Sequence, residues 1–307
     1  MNKTIKFITS ISVIVYLSSC VNDGRPIGYE SDTHGRGQAK IMVDESFKPL
    51  FDTSIYTFES QYPHADVVPY YRAEGDIINE FFANKVKTIC ISRDFTEQEK
   101  AELLKKNVEV RSDRIAFDAV TLIVNPENPD STMTVDRLKR IIMGKDTIWP
   151  GLKTKINVVY DQANSANFNY LSALVGEKNL PINIFAVKSN LEVINYVKNN
   201  KSALGIIGLN WISDQDDFDV LDFVKGLKVL SVAESSTTPF FKPYAGMIYT
   251  KEYPLRREIW MINKAKKSGI NTGFVLFMMG EKGQLIIQKS ALVPANAPIR
   301  LIQISTE

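Results

Sequence analysis

The chain has 307 residues, 44% hydrophobic and 23% charged, the balance of a soluble globular protein of about two domains; a mostly disordered chain and a multi-span membrane protein are excluded. With 16 glycines and 13 prolines, collagen-like and low-complexity readings fall as well. The formal charge is +2; setting aside Lys3 and Lys6, which sit in the leader described next, leaves 35 basic against 35 acidic residues, a neutral balance with no nucleic-acid footprint.

The first element along the chain is an export leader. Lys3 and Lys6 give it a positive start, Phe7 to Leu17 form an eleven-residue apolar run, and Ser18-Ser19 close it with small residues. A spanning helix needs ~20 apolar residues, so this run is too short to be one. Leu17-Ser18-Ser19-Cys20 resembles the lipobox of bacterial lipoproteins. The resemblance implies cleavage of residues 1–19, diacylglyceryl modification of the Cys20 sulfur, and anchoring in the bacterial cell envelope, periplasm-facing or at the surface. Each buried acyl CH₂ contributes ~0.8 kcal/mol, so two or three chains hold a domain durably. The alternative is an ordinary cleaved signal with a cysteine nearby. Residues 20–38 are rich in Asn, Asp, Gly, Ser and Thr and read as a flexible tether that carries His34. Cys90, the other cysteine, lies in an apolar run and reads as a buried strand residue.

From residue 39, apolar strands alternate with amphipathic helices. Strands are expected at 39–43, 66–71 and 88–92, with helices at 47–62 and 76–82 between them. Thr96 and Glu99 form a capping box opening a helix to Lys106. A long extended stretch follows at 108–124. After the break at Asn125-Pro126-Glu127-Asn128-Pro129 the rhythm resumes, with helices at 135–143, 167–175 and 191–198 and strands at 156–160, 184–187 and 203–207. Residues 234–246 read as loop, 248–249 and 258–262 as strands, and 273–288 as a helix interrupted at 281–283. This β-α-β-α order implies a mainly parallel sheet wrapped by helices.

The motifs of common catalysts are missing. The chain has no phosphate loop, no G-x-S-x-G elbow and no H-E-x-x-H. Two histidines and two cysteines are too few for a zinc site, and no other metal or cofactor is expected. This favours a binding protein over an enzyme, although an envelope enzyme working through Asp118 and Asp161 stays open.

Ligands of open α/β sheets bind beyond the carboxyl ends of strands, where helix starts present unpaired N–H groups to anions. Four strand-to-helix turns qualify: 44–47 with Ser46, 72–75 with Glu74, 92–94 with Ser92 and Arg93, and 161–167 with Asn164, Ser165 and Asn167. Each serine or asparagine equally fits plain helix capping. Arg93 could grip an oxyanion with two hydrogen bonds or form a surface salt bridge.

Several segments in order carry a family resemblance. They are Ile91-Ser92-Arg93-Asp94-Phe95, Ile115-Ala116-Phe117-Asp118-Ala119-Val120, Leu138–Gly144 followed by Trp149, Ala203–Gly208, Tyr253-Pro254-Leu255 with Arg257, and Gly283-Gln284 with Leu292-Val293-Pro294. Together they resemble the substrate-binding proteins of bacterial phosphate ABC transporters, an α/β type II periplasmic-binding-protein fold. The resemblance implies two lobes joined by two hinge crossovers, residues 39–121 plus 249–307 forming one lobe and 122–248 the other. It implies hinges near 119–122 and 246–249, and a small oxyanion, phosphate first, held between the lobes and passed to a membrane ABC permease. Ser46, Ser92, Arg93 and Asp118 would face the cleft from lobe one, with Glu74 beside them, and Asn164, Ser165 and Asn167 from lobe two.

The chain also departs from the family pattern. Where many relatives carry an arginine and then Ser-Gly-Thr, it has Asp161 and then Ser165-Ala166-Asn167. Glu45 and Glu74 add negative charge, which repels phosphate unless Lys48, Arg72 or Arg93 pairs with it. A sensory or scaffold module of the same fold with a changed ligand is therefore the competing expectation.

Overall fold

The computed structural model describes residues 32–176, 184–214, 218–264 and 268–296, Asp219 by its backbone only. The leader, Cys20 and the first part of the expected tether lie outside the described residues. The second part is not a tether. Arg36–Gln38 already pairs in the first strand, and the Asp32 carboxylate accepts the Ile270 N–H at 2.7 Å.

Strand β1 (Arg36–Asp44) buries Ala39, Ile41 and Val43 at the strand period of two. A 3-10 turn (Glu45–Phe47) leads into α1 (Lys48–Gln61), whose Leu50, Phe51, Ile55 and Phe58 form the buried stripe. Next come β2 (His64–Arg72), α2 (Glu74–Phe82), the fully buried β3 (Thr88–Ile91) and α3 (Glu97–Lys105). The capping box of Thr96 and Glu99 is formed in both directions. Cys90 is buried in β3, and burial pushes its thiol well above the ordinary range.

The long strand β4 (Arg111–Val124) is followed by β5 (Thr132–Thr134), α4 (Val135–Ile142), the hairpin of β6 (Ile148–Trp149) and β7 (Thr154–Lys155), and β8 (Asn157–Tyr160). Then come α5 (Ala166–Val175), β9 (Ile184–Ala186), α6 (Asn190–Asn199), β10 (Ala203–Gly208), α7 (Asn210–Ser213) and α8 (Phe218–Val224). The chain ends through β11 (Lys228–Val229), β12 (Ser231–Ala233), α9 (Ala245–Tyr249), β13 (Arg256–Asn263), α10 (Ile270–Met279), α11 (Glu281–Lys289) and β14 (Val293–Pro294).

The main sheet runs β2-β1-β3-β13-β4-β10-β8-β9, with β11 and β14 also on β4. Strand β4 serves two half-sheets. From Arg111 to Ala119 it pairs antiparallel with β13; from Val120 to Ile123 it pairs antiparallel with β10. The returning chain is pinned at this switch: the Val120 N–H donates to the Leu255 carbonyl and the Tyr253 hydroxyl to the Val120 carbonyl, both at 2.9 Å. Strands β1, β2 and β3 are parallel in the first half, and β8, β9 and β10 in the second. The loops after β1, β3, β8, β9 and β10 therefore lie at carboxyl ends, where α/β sheets bind ligands. Phe51, Phe58, Phe274 and Phe277 form an aromatic cluster in the core of the first half, with centroids 5.2–6.3 Å apart.

Two expected elements differ. Residues 248–249 belong to helix α9, a single turn with Ile248 buried, so the β-branched residue there serves packing and not a strand. The C-terminal helix breaks at Gly280 and not at 281–283. Gly283 lies inside α11, where a Cβ would stand 2.4 Å from the Phe277 carbonyl oxygen; the glycine permits a close crossing of α10.

Candidate functional site

The loops at the carboxyl ends of both half-sheets meet in one buried polar centre. Asp44, Glu45, Ser46, Glu74 and Asp118 come from the first half and from β4. Asp161, Ser165, Asn167, Asn190 and Asn210 come from the second, and Arg257 from β13; all are buried.

After β1 the chain turns sharply, and the Asp44 carboxylate caps the turn by accepting the Ser46 N–H at 3.0 Å and the Ser46 hydroxyl. Its second oxygen accepts the Ala166 N–H at 3.0 Å, at the start of α5. Glu45 accepts the Asn190 N–H at 3.0 Å, at the start of α6, and the Asn190 side-chain amide. Asp161 accepts the Ser165 hydroxyl at 2.7 Å and the amides of Asn167 and Asn190 at 3.1 and 3.2 Å. Arg257 binds Asp118 through Nε at 2.8 Å and Nη2 at 2.7 Å, and Asn167 Oδ1 through Nη1 at 2.8 Å. The guanidinium also lies 4.8 Å from the Phe47 ring centroid.

Charge in this centre is lopsided. Five carboxyls, those of Asp44, Glu45, Glu74, Asp118 and Asp161, face one guanidinium among its buried residues. Burial, with the Glu74 charge behind it, pushes Asp44 up to about 6. Burial lifts Glu45 to about 7. Asp161 is pushed well above the carboxylate range by burial and by the charges of Asp44 and Glu45. Asp118 is raised by burial in spite of Arg257. Among the described residues, no group of three or more His, Cys, Asp or Glu side chains is placed to hold a metal ion.

Of the residues singled out in the sequence, Ser46, Asp118, Ser165 and Asn167 lie in this network. Ser165 also caps α5, its hydroxyl accepting the Phe168 N–H at 3.1 Å. Glu74 and Ser92 sit together at the edge: Glu74 accepts the Ser92 N–H at 2.7 Å and hydroxyl at 2.6 Å, and the Asn169 amide of α5 at 3.1 Å. Asn164 is exposed, and its carbonyl accepts the Gly75 N–H at 3.0 Å. Arg93 points elsewhere. Its two terminal nitrogens bind the Glu99 carboxylate of the capping box at 2.7 and 2.8 Å, and its side chain is 40% exposed. Of the three cations considered as partners for the acidic rim, Lys48 is held by Asp52. The guanidinium that reaches the centre is Arg257, quoted in the sequence only as part of a crossover. Asn190 and Asn210 follow ordinary helix-start patterns and carry no signal beyond capping.

Gly208 closes the floor. A Cβ there would lie 2.6 Å from Arg257 Nη2 and 2.9 Å from the Ser46 carbonyl oxygen. Gly208→Ala is expected to cost about 1–3 kcal/mol by overpacking, read as a lowered midpoint of thermal unfolding.

A two-lobed α/β chain with polar loops converging between its half-sheets is the architecture of a type II periplasmic-binding protein. The model of the PBP superfamily domain matches residues 29–282, and the chain belongs to that superfamily. It is 28% identical over 261 residues to Phosphate-binding protein PstS of Borreliella burgdorferi, covering 80% of this chain and 85% of that one. It is 24% identical over 291 residues to Phosphate-binding protein PstS of Staphylococcus aureus (strain USA300), covering 90% and 83%. Among solved structures it resembles a substrate-binding protein with bound phosphate from Clostridium perfringens, with a TM-score of 0.71 at 20% identity over 84% of this chain and all of the other.

Proposed function

We propose that this chain is a solute receptor of the bacterial cell envelope that takes a small oxyanion, phosphate first, between its lobes and passes it to a membrane ABC permease. The observation that carries the reading is the convergence of the Ser46, Ala166 and Asn190 N–H groups, the Ser46 and Ser165 hydroxyls and Arg257 on one centre. Each of those N–H groups binds a carboxylate, so the donor set is one that selects oxyanions. Relatives named as phosphate-binding proteins support phosphate as the solute. The lobes would be residues 39–121 plus 249–307 and 122–248, hinged near 119–122, at the switch in β4, and near 246–249. Ser92, Glu74 and Asn164 would frame the rim, and Cys20 would carry the lipid anchor. Among the described residues no helix is long and apolar enough to cross a membrane.

Calorimetric titration of the chain with phosphate tests this, with sulfate as comparator. Heat of binding with phosphate, and weaker or none with sulfate, is expected. No heat with either anion at millimolar concentration would refute the oxyanion reading.

The occupation of the same donors by the chain's own carboxylates favours a second reading, a sensory or scaffold module of the envelope. A pull-down from detergent-solubilised membranes separates the two: a permease supports uptake, whereas a kinase or a structural envelope complex supports sensing.

A further inference from the structure

The donors that would take a solute anion are occupied from across the cleft. Asp44 and Glu45 leave the end of β1 in the first half-sheet. Their carboxylates accept the Ala166 and Asn190 N–H groups, each at 3.0 Å, from helices of the second half-sheet. The two contacts join residues 122 and 145 positions apart. Local capping does not account for them. Ser165 already caps α5 through the Phe168 N–H, and Ser189 caps α6 through the Glu192 N–H at 3.2 Å. Asp44 and Glu45 take donors that remain after capping, the kind an anion binds at a helix start. On the other side, Asn210 of the second half joins the Ser46 carbonyl, so the same three-residue segment is gripped along its length.

We propose that Asp44 and Glu45 are a tethered competitor for the solute: they latch the two half-sheets together in the empty protein, and an anion enters only by displacing them. A group held on a short tether competes at an effective concentration on the order of millimolar, so the latch sets the solute level at which the receptor fills. When the latched state dominates, the apparent affinity falls by the fraction of protein that is unlatched. The contacts themselves are independent of which solute is carried; the competition with phosphate rests on the receptor reading above.

The test compares the wild-type chain with Glu45→Ala and Asp44→Ala at pH 8. Each truncation removes the acceptor oxygens that hold the Asn190 or Ala166 N–H group. Small-angle scattering without solute reads opening; calorimetric titration with inorganic phosphate reads competition; circular dichroism confirms the fold, and either variant serves if the other fails to fold. The expected result is a larger radius of gyration in the variants and phosphate binding ~10-fold or more tighter than wild type. Radii equal to wild type overturn the latch, whatever phosphate does. Larger radii with phosphate binding no tighter than wild type overturn the competition. Larger radii with no phosphate heat from any form uphold the latch and refute phosphate as the solute, so the two failures read differently.

Discussion

Arg257→Met is expected to lower the unfolding free energy by about 3–5 kcal/mol, because it strands Asp118 without its cation in a site that water does not reach. The two side chains are 2% and 0% exposed, so screening gives little relief. Loss of Arg257 also removes the donor to Asn167 Oδ1 and the cation over the Phe47 ring. At roughly 2–4 °C per kcal/mol for a chain of this size, the thermal midpoint falls by about 10 °C. Arg257→Met combined with Asp118→Leu should recover most of that loss, since a packed apolar pair needs no desolvation of charge. Thermal unfolding of the single and double variants checks both halves. If the double variant were no more stable than the single one, the ion pair would not be the source of the effect.

The second large effect is a stability maximum on the acid side of neutrality. Asp44 holds its proton up to about 6 in the folded chain against an ordinary 3.8, and Glu45 up to about 7 against 4.5. The folded state therefore binds protons that the unfolded state has released. The stability each group contributes is complete below its ordinary value and is lost as pH rises toward the folded value. The window is 3.8 to about 6 for Asp44 and 4.5 to about 7 for Glu45, on the order of 3 kcal/mol each. Asp161 and Asp118, both raised, act in the same direction. Asp94 and Glu99 are held below the carboxylate range, so their contribution is present above it and is lost on acidification. The opposing slopes place the maximum near the ordinary carboxylate values, at about pH 4. Thermal midpoints should fall from pH 5 to pH 8, and the combination of Asp44→Asn with Glu45→Gln should flatten that fall. A midpoint that rises over this range would contradict the assignment of buried, proton-holding carboxyls.

Much of the scaffold was legible in the residues. Alternating burial in β1 and the capping box of Thr96 and Glu99 are local patterns, and local patterns survive into the fold. The turns after β1, β3 and β8 were equally visible, because Ser, Asp and Asn at a strand-to-helix turn have few other uses. The partners of those turns were not legible. Arg93 stands in an apt turn, yet the Glu99 carboxylate, six residues on and already fixed by the capping box, binds it with two hydrogen bonds. Arg257 lies in a strand whose sequence shows only alternation; pairing of β13 with β4 sets it opposite Asp118, a fact of register. The acidic rim, read from Glu45 and Glu74, raised the right question, how such charge could be tolerated. For Glu45, and for Asp44 beside it, the answer is backbone N–H groups more than 120 residues away, which no spacing in the sequence could show.

Whether the cleft takes a small anion is asked most directly by a crystal structure of the chain grown with phosphate in large excess. The expected result is a tetrahedral anion on the N–H groups of Ala166 and Asn190, with the Asp44 and Glu45 carboxylates turned away from them. Both carboxylates still seated on those groups, with no anion between the half-sheets, would contradict it.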